Sequence, residues 1–322
     1  MRITRKMLNA ELRRNFWTLK FSAYLQGSTM GSKLINFLDE QTHPIVPDGV
    51  LAETKVIPGA LGNPDIRVRV FKLKNCGTKP LSGMLYIHGG GFSIGSPDEY
   101  LDLIQQFMEV EGCIIVSPYY RRSLDAPYPA AFDDCYETLL WMKAHATELG
   151  ILPDTFIVAG HSAGGGLAMS VSLKARDTKD VNIAFQMSIY PILDDRMLTK
   201  SSQNNHAPVW NSWANRHAWD RYLRGLKAQK LEIPAYAAPA RATDLSGMPP
   251  TITLVGGVEV FKDEVVDFVE RLRQDGVTVE FRLFEGCFHA FEVLVPKAKI
   301  SQEAWAFVFE AFGRYMQRYV HS

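Results

Sequence analysis

The run Gly160-His161-Ser162-Ala163-Gly164-Gly165 limits what this chain can fold into more than any other stretch. An apolar segment, Phe156-Ile157-Val158-Ala159, precedes it, and a helix-like segment from Leu167 to Ala175 follows. Strand, tight turn and helix is the setting of a nucleophile elbow, where a serine is held on a strained turn above a sheet. Glycine is needed around such a serine because a sharp strand-to-helix turn leaves no room for neighbouring Cβ atoms. The same turn puts Ser162 at a helix N-terminus, whose N–H groups favour negative charge. A Gly-rich turn with an ordinary capping serine would use the same letters, so the other residues must discriminate.

Composition removes several classes. A chain of 322 residues can bury one large α/β core or two smaller ones. Lys+Arg and Asp+Glu are 35 each, so no net field argues for nucleic acid. No apolar run approaches the length of a membrane span. Met1 to Lys20 is basic, without the apolar core and cleavage site of a signal peptide. The four cysteines, at 76, 113, 135 and 287, show neither metal spacing nor a C-x-x-C pair. The expectation is a cytoplasmic protein with free thiols and no bound metal or cofactor.

Patterning then orders the chain. Residues 1–40 read as two helices, with Leu8, Leu12, Phe16, Leu19 and Ala23 near a 3.6-residue period. Pro44, Pro47, Asp48 and Gly49 form a breaker-rich linker. Strands are predicted at 51–58, 65–74, 84–87, 114–116, 183–190, 251–255 and 277–284, besides the one before Ser162. Helices are predicted at 98–110, 130–147, 263–274 and 301–319. Arg67 to Leu73 alternates strictly, as a half-exposed antiparallel strand does. The later strand–helix alternation implies a parallel α/β sheet. Segment 194–245, rich in Asn, Trp and Pro, breaks that rhythm and reads as an inserted cap. The expected organisation is N-terminal cap helices in 1–47, core in 48–193, cap insert in 194–245 and core again in 246–322.

A serine nucleophile needs a base, an acid to orient that base, and donors for an oxyanion. In this kind of fold the chain order is Ser, acid, His. His289 lies in a loop after the strand at 277–284, at the sheet's carboxyl edge. His43, His206 and His321 have no strand before them, and His145 and His217 fall in helical stretches. His88 and His161 belong to Gly-rich turns, where a backbone role is expected. The acid must follow strand 251–255. Glu259 lies in the loop itself, whereas Asp263 and Glu264 open a helix and suit its dipole. Glu259 is favoured over Asp263. Gly89, Gly90 and Gly91, after His88, let backbone N–H groups approach an acyl oxygen, and the Ala163 N–H adds a donor.

Four segments together resemble the hormone-sensitive-lipase-like (bacterial family IV) esterases of the α/β-hydrolase superfamily. They are His88-Gly-Gly-Gly-Phe92, Tyr120-Arg121 through Tyr128-Pro129-Ala130-Ala131 with Asp133-Asp134, Gly160 to Gly165, and Gly286-Cys-Phe-His289-Ala-Phe291. The resemblance implies an α/β fold with a mostly parallel eight-stranded sheet flanked by helices and a helical cap. It implies hydrolysis of short- to medium-chain carboxylic esters, with Ser162 as nucleophile, His289 as base, and Gly89 and Gly90 as oxyanion donors. Glu259 stands where the family usually has Asp, and His161 stands where Asp or Thr is common. Tyr120-Arg121-Arg122-Ser123-Leu124-Asp125 also lacks the family's proline.

The expected reaction is acyl transfer through an acyl-enzyme. An amidase or peptidase would use the same triad, and a ligand sensor could use the same fold. A membrane-associated lipase is a further alternative. Trp17, Phe21, Phe92, Trp210 and Trp213 are candidates for the substrate lining, with ordinary core packing as the plain alternative. The expected partner is a small-molecule ester; the oligomeric state is not readable from the sequence, and the 277–284 edge and the last helix could pair two copies into a homodimer across a two-fold axis, as in some relatives.

Overall fold

The alternation of Arg67 to Leu73 becomes a strand that buries Val68 and Val70 and leaves Arg67 and Lys72 in solvent. Continuous apolar runs become strands covered on both faces, as parallel sheets require. The computed structural model describes residues 2–42, 44–60 and 62–321. Met1, His43, Leu61 and Ser322 lie outside them.

The strands are β1 (Val50–Ile57), β2 (Ile66–Leu73), β3 (Leu81–Ile87), β4 (Cys113–Pro118), β5 (Ile151–His161), β6 (Ile183–Ile189), β7 (Thr251–Gly256) and β8 (Val279–Phe284). They form one eight-stranded sheet in the order β1-β2-β4-β3-β5-β6-β7-β8. β1, β2 and β4 pair antiparallel, and the remaining neighbours pair parallel. The helices are α1 (Phe16–Gly27), α2 (Thr29–Gln41), α3 (Leu101–Val110), α4 (Ala130–Ala144), α5 (Ala146–Leu149) and α6 (Ala163–Thr178). They continue with α7 (Ser212–Tyr222), α8 (Arg224–Ala228), α9 (Lys262–Gln274), α10 (Phe291–Leu294) and α11 (Lys299–Tyr319). Among the described residues, no helix is long and apolar enough to cross a membrane.

The N-terminus departs from the predicted pair of regular helices. Residues before Phe16 form two 3-10 turns, Arg5–Met7 and Ala10–Leu12, and the first α-helix begins only at Phe16. The apolar positions are still buried, since Leu8, Leu12 and Phe16 all join the core. Other bonds replace the helical ones. Arg13 donates to the Leu8 and Lys6 carbonyls at 2.9 and 3.1 Å, and Asn9 N donates to Gly286 O at 2.9 Å. The last bond fastens the N-terminus to the loop that carries His289. Similarly, the predicted helix 130–147 is divided at His145, which caps its own turn through Nδ1 and the Trp141 carbonyl.

Segment 194–245 carries α7 and α8 and no strand. It joins the N-terminal helices through Val209 N to Leu19 O at 2.7 Å and Arg221 Nη1 to Gly27 O at 2.6 Å.

The loop after β4 is held by a nearly buried ion pair. Asp134 accepts from the Arg121 backbone N at 2.8 Å and from its guanidinium at 2.7 Å. Removing one partner of such a pair strands a charge and a backbone donor. Asp134→Ala is therefore expected to lower unfolding free energy by about 2–4 kcal/mol, read from urea denaturation at neutral pH.

Candidate active site

The elbow is built by close approach. Ser162 holds φ 56° and ψ −117°, a strained conformation for a residue with a side chain. Its N–H donates to Ile189 O at 2.9 Å, and its carbonyl accepts from Gly166 N and Ile192 N. A Cβ on Gly160 would lie 2.3 Å from Gly164 O, and one on Gly164 would lie 2.1 Å from Ile87 O. Glycine is thus required at both positions for α6 to start this near to β3 and β5. The plain capping reading does not apply, because the Ser162 side chain makes no cap hydrogen bond to α6.

Three loops converge on Ser162 Oγ. His289 Nε2 lies 2.8 Å from it, and His289 Nδ1 lies 2.6 Å from Glu259 Oε2. Glu259 is fully buried, and its second oxygen accepts from Gly256 N. With Nδ1 donating to a carboxylate, Nε2 is left to accept the Ser162 hydroxyl proton. Asp263 is placed elsewhere: its Oδ2 accepts from Ser201 N at 2.7 Å. Glu264 accepts from Leu193 N at 2.9 Å, and burial holds its carboxyl well above the usual range. Both carboxylates tie α9 to the segment after β6.

The glycine turn presents donors. Tyr120 OH donates to the His88 and Gly89 carbonyls at 3.1 and 3.2 Å. In a trans peptide the N–H points opposite to the C=O, so the Gly89 and Gly90 N–H groups are turned the other way. Among the described residues, no backbone carbonyl takes the N–H of Gly89, Gly90 or Ala163. A Cβ on Gly89 would come within 3.5 Å of Ser162 Cβ, so the turn lies against the elbow. His88 supports it, stacked on Tyr120 at 4.1 Å, with Nδ1 2.8 Å from Gly89 O. Burial lowers His88 to about 3, which keeps it neutral.

The candidate lining residues separate. Trp210 covers the site: its ring centroid is 6.5 Å from that of His289, and a Cβ on Gly91 would strike its indole at 2.3 Å. Phe92 is buried and stacked on Tyr222 at 4.0 Å, beneath α7. Trp213 turns instead to the N-terminal helices, against Tyr24 and Gly27. Trp17 and Phe21 fit neither reading, pocket or core, because they are 73% and 70% exposed.

Behind Ser162 lies a buried polar cluster that sequence reasoning missed. His161, assigned only a backbone role, is buried with Nδ1 2.6 Å from Tyr86 OH, and Tyr100 stacks on its ring at 5.4 Å. Burial lowers it to about 3, so it stays neutral. Tyr190 stands edge-on to His289 at 4.6 Å and donates its hydroxyl to Glu292. Glu292 is fully buried, and its Oε2 has no partner among the described residues. Burial raises its carboxyl to about 7, against the pull of the Tyr190 hydroxyl. Its only sequence signal was an acid three residues after His289, which an ordinary first-turn glutamate also gives. Several non-glycine residues with positive φ ring the site: Phe92, Ser162, Tyr190, Val209 and Ala290. Such strain clusters where geometry is over-determined.

The raised Glu292 has a signed consequence. Its folded value of about 7 lies above the ordinary 4.5, so its contribution to stability is full below 4.5 and lost as pH rises through 7. Glu292→Gln keeps the Tyr190 bond without the titration. Relative to the parent, it is expected to gain about 1–3 kcal/mol between pH 5 and pH 8, measured by chemical denaturation across that range.

Known proteins resemble this chain in sequence and fold. Residues 84–293, about two-thirds of the chain, match a family described as alpha/beta hydrolase fold. Esterase LipI of Mycobacterium tuberculosis is 31% identical over 243 residues, covering 74% of this chain and 75% of LipI. Carboxylesterase NlhH of the same species is 32% identical over 220 residues, covering 67% and 69%. A solved bacterial heroin esterase superposes with a TM-score of 0.84 at 33% identity, over 97% of this chain and 99% of its own. The chain belongs to the α/β-hydrolase fold family, among its hormone-sensitive-lipase-like esterases.

Proposed function

We propose that this chain is a serine carboxylesterase that cleaves short- to medium-chain acyl esters through Ser162, His289 and Glu259. One observation carries the reading: the unbroken line Ser162 Oγ, His289, Glu259 at 2.8 and 2.6 Å, beside a glycine turn with uncommitted N–H groups. The names of its relatives agree with carboxylic ester hydrolysis.

In the first half-reaction, Ser162 Oγ attacks the ester carbonyl carbon while His289 Nε2 takes the hydroxyl proton. Glu259 holds the ring and stabilises the imidazolium. The Gly89, Gly90 and Ala163 N–H groups bind the oxyanion as it forms. The C–O bond to the alcohol breaks, and His289 returns the proton to the leaving oxygen. Water then repeats the sequence on the acyl-Ser162 ester and releases the carboxylic acid. In this reading residues 1–47 and 194–245 cap the core, and Trp210 bounds the acyl end of the pocket. The four cysteines are free thiols, which fits a reducing compartment such as the cytoplasm.

The test is hydrolysis of p-nitrophenyl esters from acetate to laurate, with the matching anilides alongside. Acetate and butyrate are expected to turn over, and Ser162→Ala to lose at least ~10³-fold in kcat. Glu259→Gln should lose on the order of 10²–10⁴-fold while folding normally. No ester turnover, or full activity in Ser162→Ala, would overturn the mechanism, and anilide turnover above ester turnover would make the chain an amidase. Trp210→Ala should move the preferred acyl chain to greater length, read as kcat/KM across the same series; an unchanged profile would remove Trp210 from the pocket.

A further inference from the structure

More than Glu259 holds His289 in place. Two aromatic rings close on its imidazole, Tyr190 at 4.6 Å and Phe261 at 5.1 Å between centroids, inclined by 69° and 77°. Tyr190 differs from Phe261 in carrying a hydroxyl, which it donates to Glu292 Oε1. Both ends of that contact are fixed. Tyr190 follows β6 with φ 38°, and its N–H donates to Leu254 O of β7 at 2.9 Å. Glu292 sits on α10, directly after the His289 loop, and its carbonyl accepts from Trp305 Nε1 of α11 at 3.3 Å. Ser301 Oγ of α11 donates to the neighbouring Phe291 carbonyl at 3.3 Å. A phenol clamped at its backbone and at its hydroxyl leaves the imidazole packed on it little room to turn.

Charge adds to packing. A buried acid costs free energy that packing does not require, since Phe261 meets the same imidazole without one. Glu292 is fully buried, one phenol ring away from His289, where charges interact more strongly than in water. The other titratable groups around it are Tyr86 of β3, Tyr100 ahead of α3 and Cys287 of the His289 loop. Burial first, and the charge of Glu292 among others after it, pushes all three up. Glu259, after β7, opposes the ionisation of Glu292, though less than burial does. His161, at the end of β5, lies 5.7 Å from the Tyr190 ring and stays neutral. From α11 come Trp305 and Ser301, which do not titrate. With its carboxyl raised to about 7, Glu292 is mostly neutral near pH 5.5 and mostly ionised near pH 8.5.

We propose that Tyr190 and Glu292 are positioning residues for His289: the hydroxyl bond sets the phenol against the imidazole, and the carboxylate behind it favours the imidazolium that forms at each proton transfer. The role rests on the esterase reading, in which His289 is the base. A negative charge there stabilises the transition state more than the resting enzyme, because the imidazole is neutral until it takes the Ser162 proton.

The test is kcat and KM for a soluble p-nitrophenyl ester from about pH 5.5 to about pH 8.5, in the parent, Glu292→Gln, Tyr190→Phe and the double variant. Near pH 5.5 Glu292→Gln should match the parent, because the charge it removes is absent there. Near pH 8.5 its kcat should fall about 3–10-fold with KM unchanged. Tyr190→Phe should lose most at the same high pH, and the double variant should lose no more than the worse single variant, since both break one contact. A loss of the same size at every pH, which a merely structural role would give, would overturn the proposal, as would additive losses or no loss in either variant. A second readout needs no turnover. In Ser162→Ala, the His289 ring signals in 15N NMR should follow the ionisation of Glu292 near pH 7, and adding Glu292→Gln should remove that step. Absence of the step would also overturn the proposal. Its presence in a chain whose parent turns over no ester would sink the esterase reading and leave the coupling of Glu292 to His289 standing.

Discussion

The structure depends on how closely α6 approaches the sheet at its first turn. Gly160 and Gly164 carry no side chains there because the Gly164 and Ile87 carbonyls occupy that space. That proximity forces Ser162 to φ 56° and lifts its hydroxyl to where the loops after β7 and β8 arrive. The strain is held by bonds from three directions: Ile189 O, Gly166 N and Ile192 N all engage the Ser162 peptide. A serine on a relaxed turn would keep the same chemistry but not the same position. Position decides the rate, since a base must lie within hydrogen-bond reach of the proton it takes.

Around that point the electrostatics are arranged in layers. Ser162, His289 and Glu259 are buried, which strengthens each charge-assisted contact relative to water. Behind them, His161 and His88 are held neutral by burial, so neither places a positive charge near His289. Glu292 is the exception, a buried acid that titrates near neutrality and reaches His289 only through the Tyr190 ring. Aromatic packing is therefore part of the site's geometry, because Tyr190 and Phe261 both stand edge-on to the imidazole.

The N-terminal helices follow a different logic. α2 meets the body through Gly31, Ser32 and Asn36 and turns Met30, Leu34 and Phe37 outward, whereas α1 buries Phe16 and Ala23 and also leaves Trp17 and Phe21 exposed. Core packing does not account for that sidedness. The bond from Val209 N to Leu19 O ties α1 to the residue before the tryptophan beside His289.

Local signals determined much of this. Glycine spacing around Ser162, the apolar runs that became β3 to β7, and the chain order Ser162, Glu259, His289 are readable because strands and tight turns are written in contiguous residues. The same signals picked out the three side chains that the fold brings within hydrogen-bond distance. Sidedness was not readable. α1 carries aromatic residues on both faces, so Trp17 and Phe21 could not be told from Phe16 before the helix had a neighbour. Nor was the cluster of Tyr86, His161, Tyr190 and Glu292, whose members lie far apart in the chain and meet only behind the elbow. The sequence determined which residues can bend the backbone, donate a proton or accept one. The tertiary structure alone decided which of them lost water and which partner replaced it, because burial and pairing depend on segments distant in sequence.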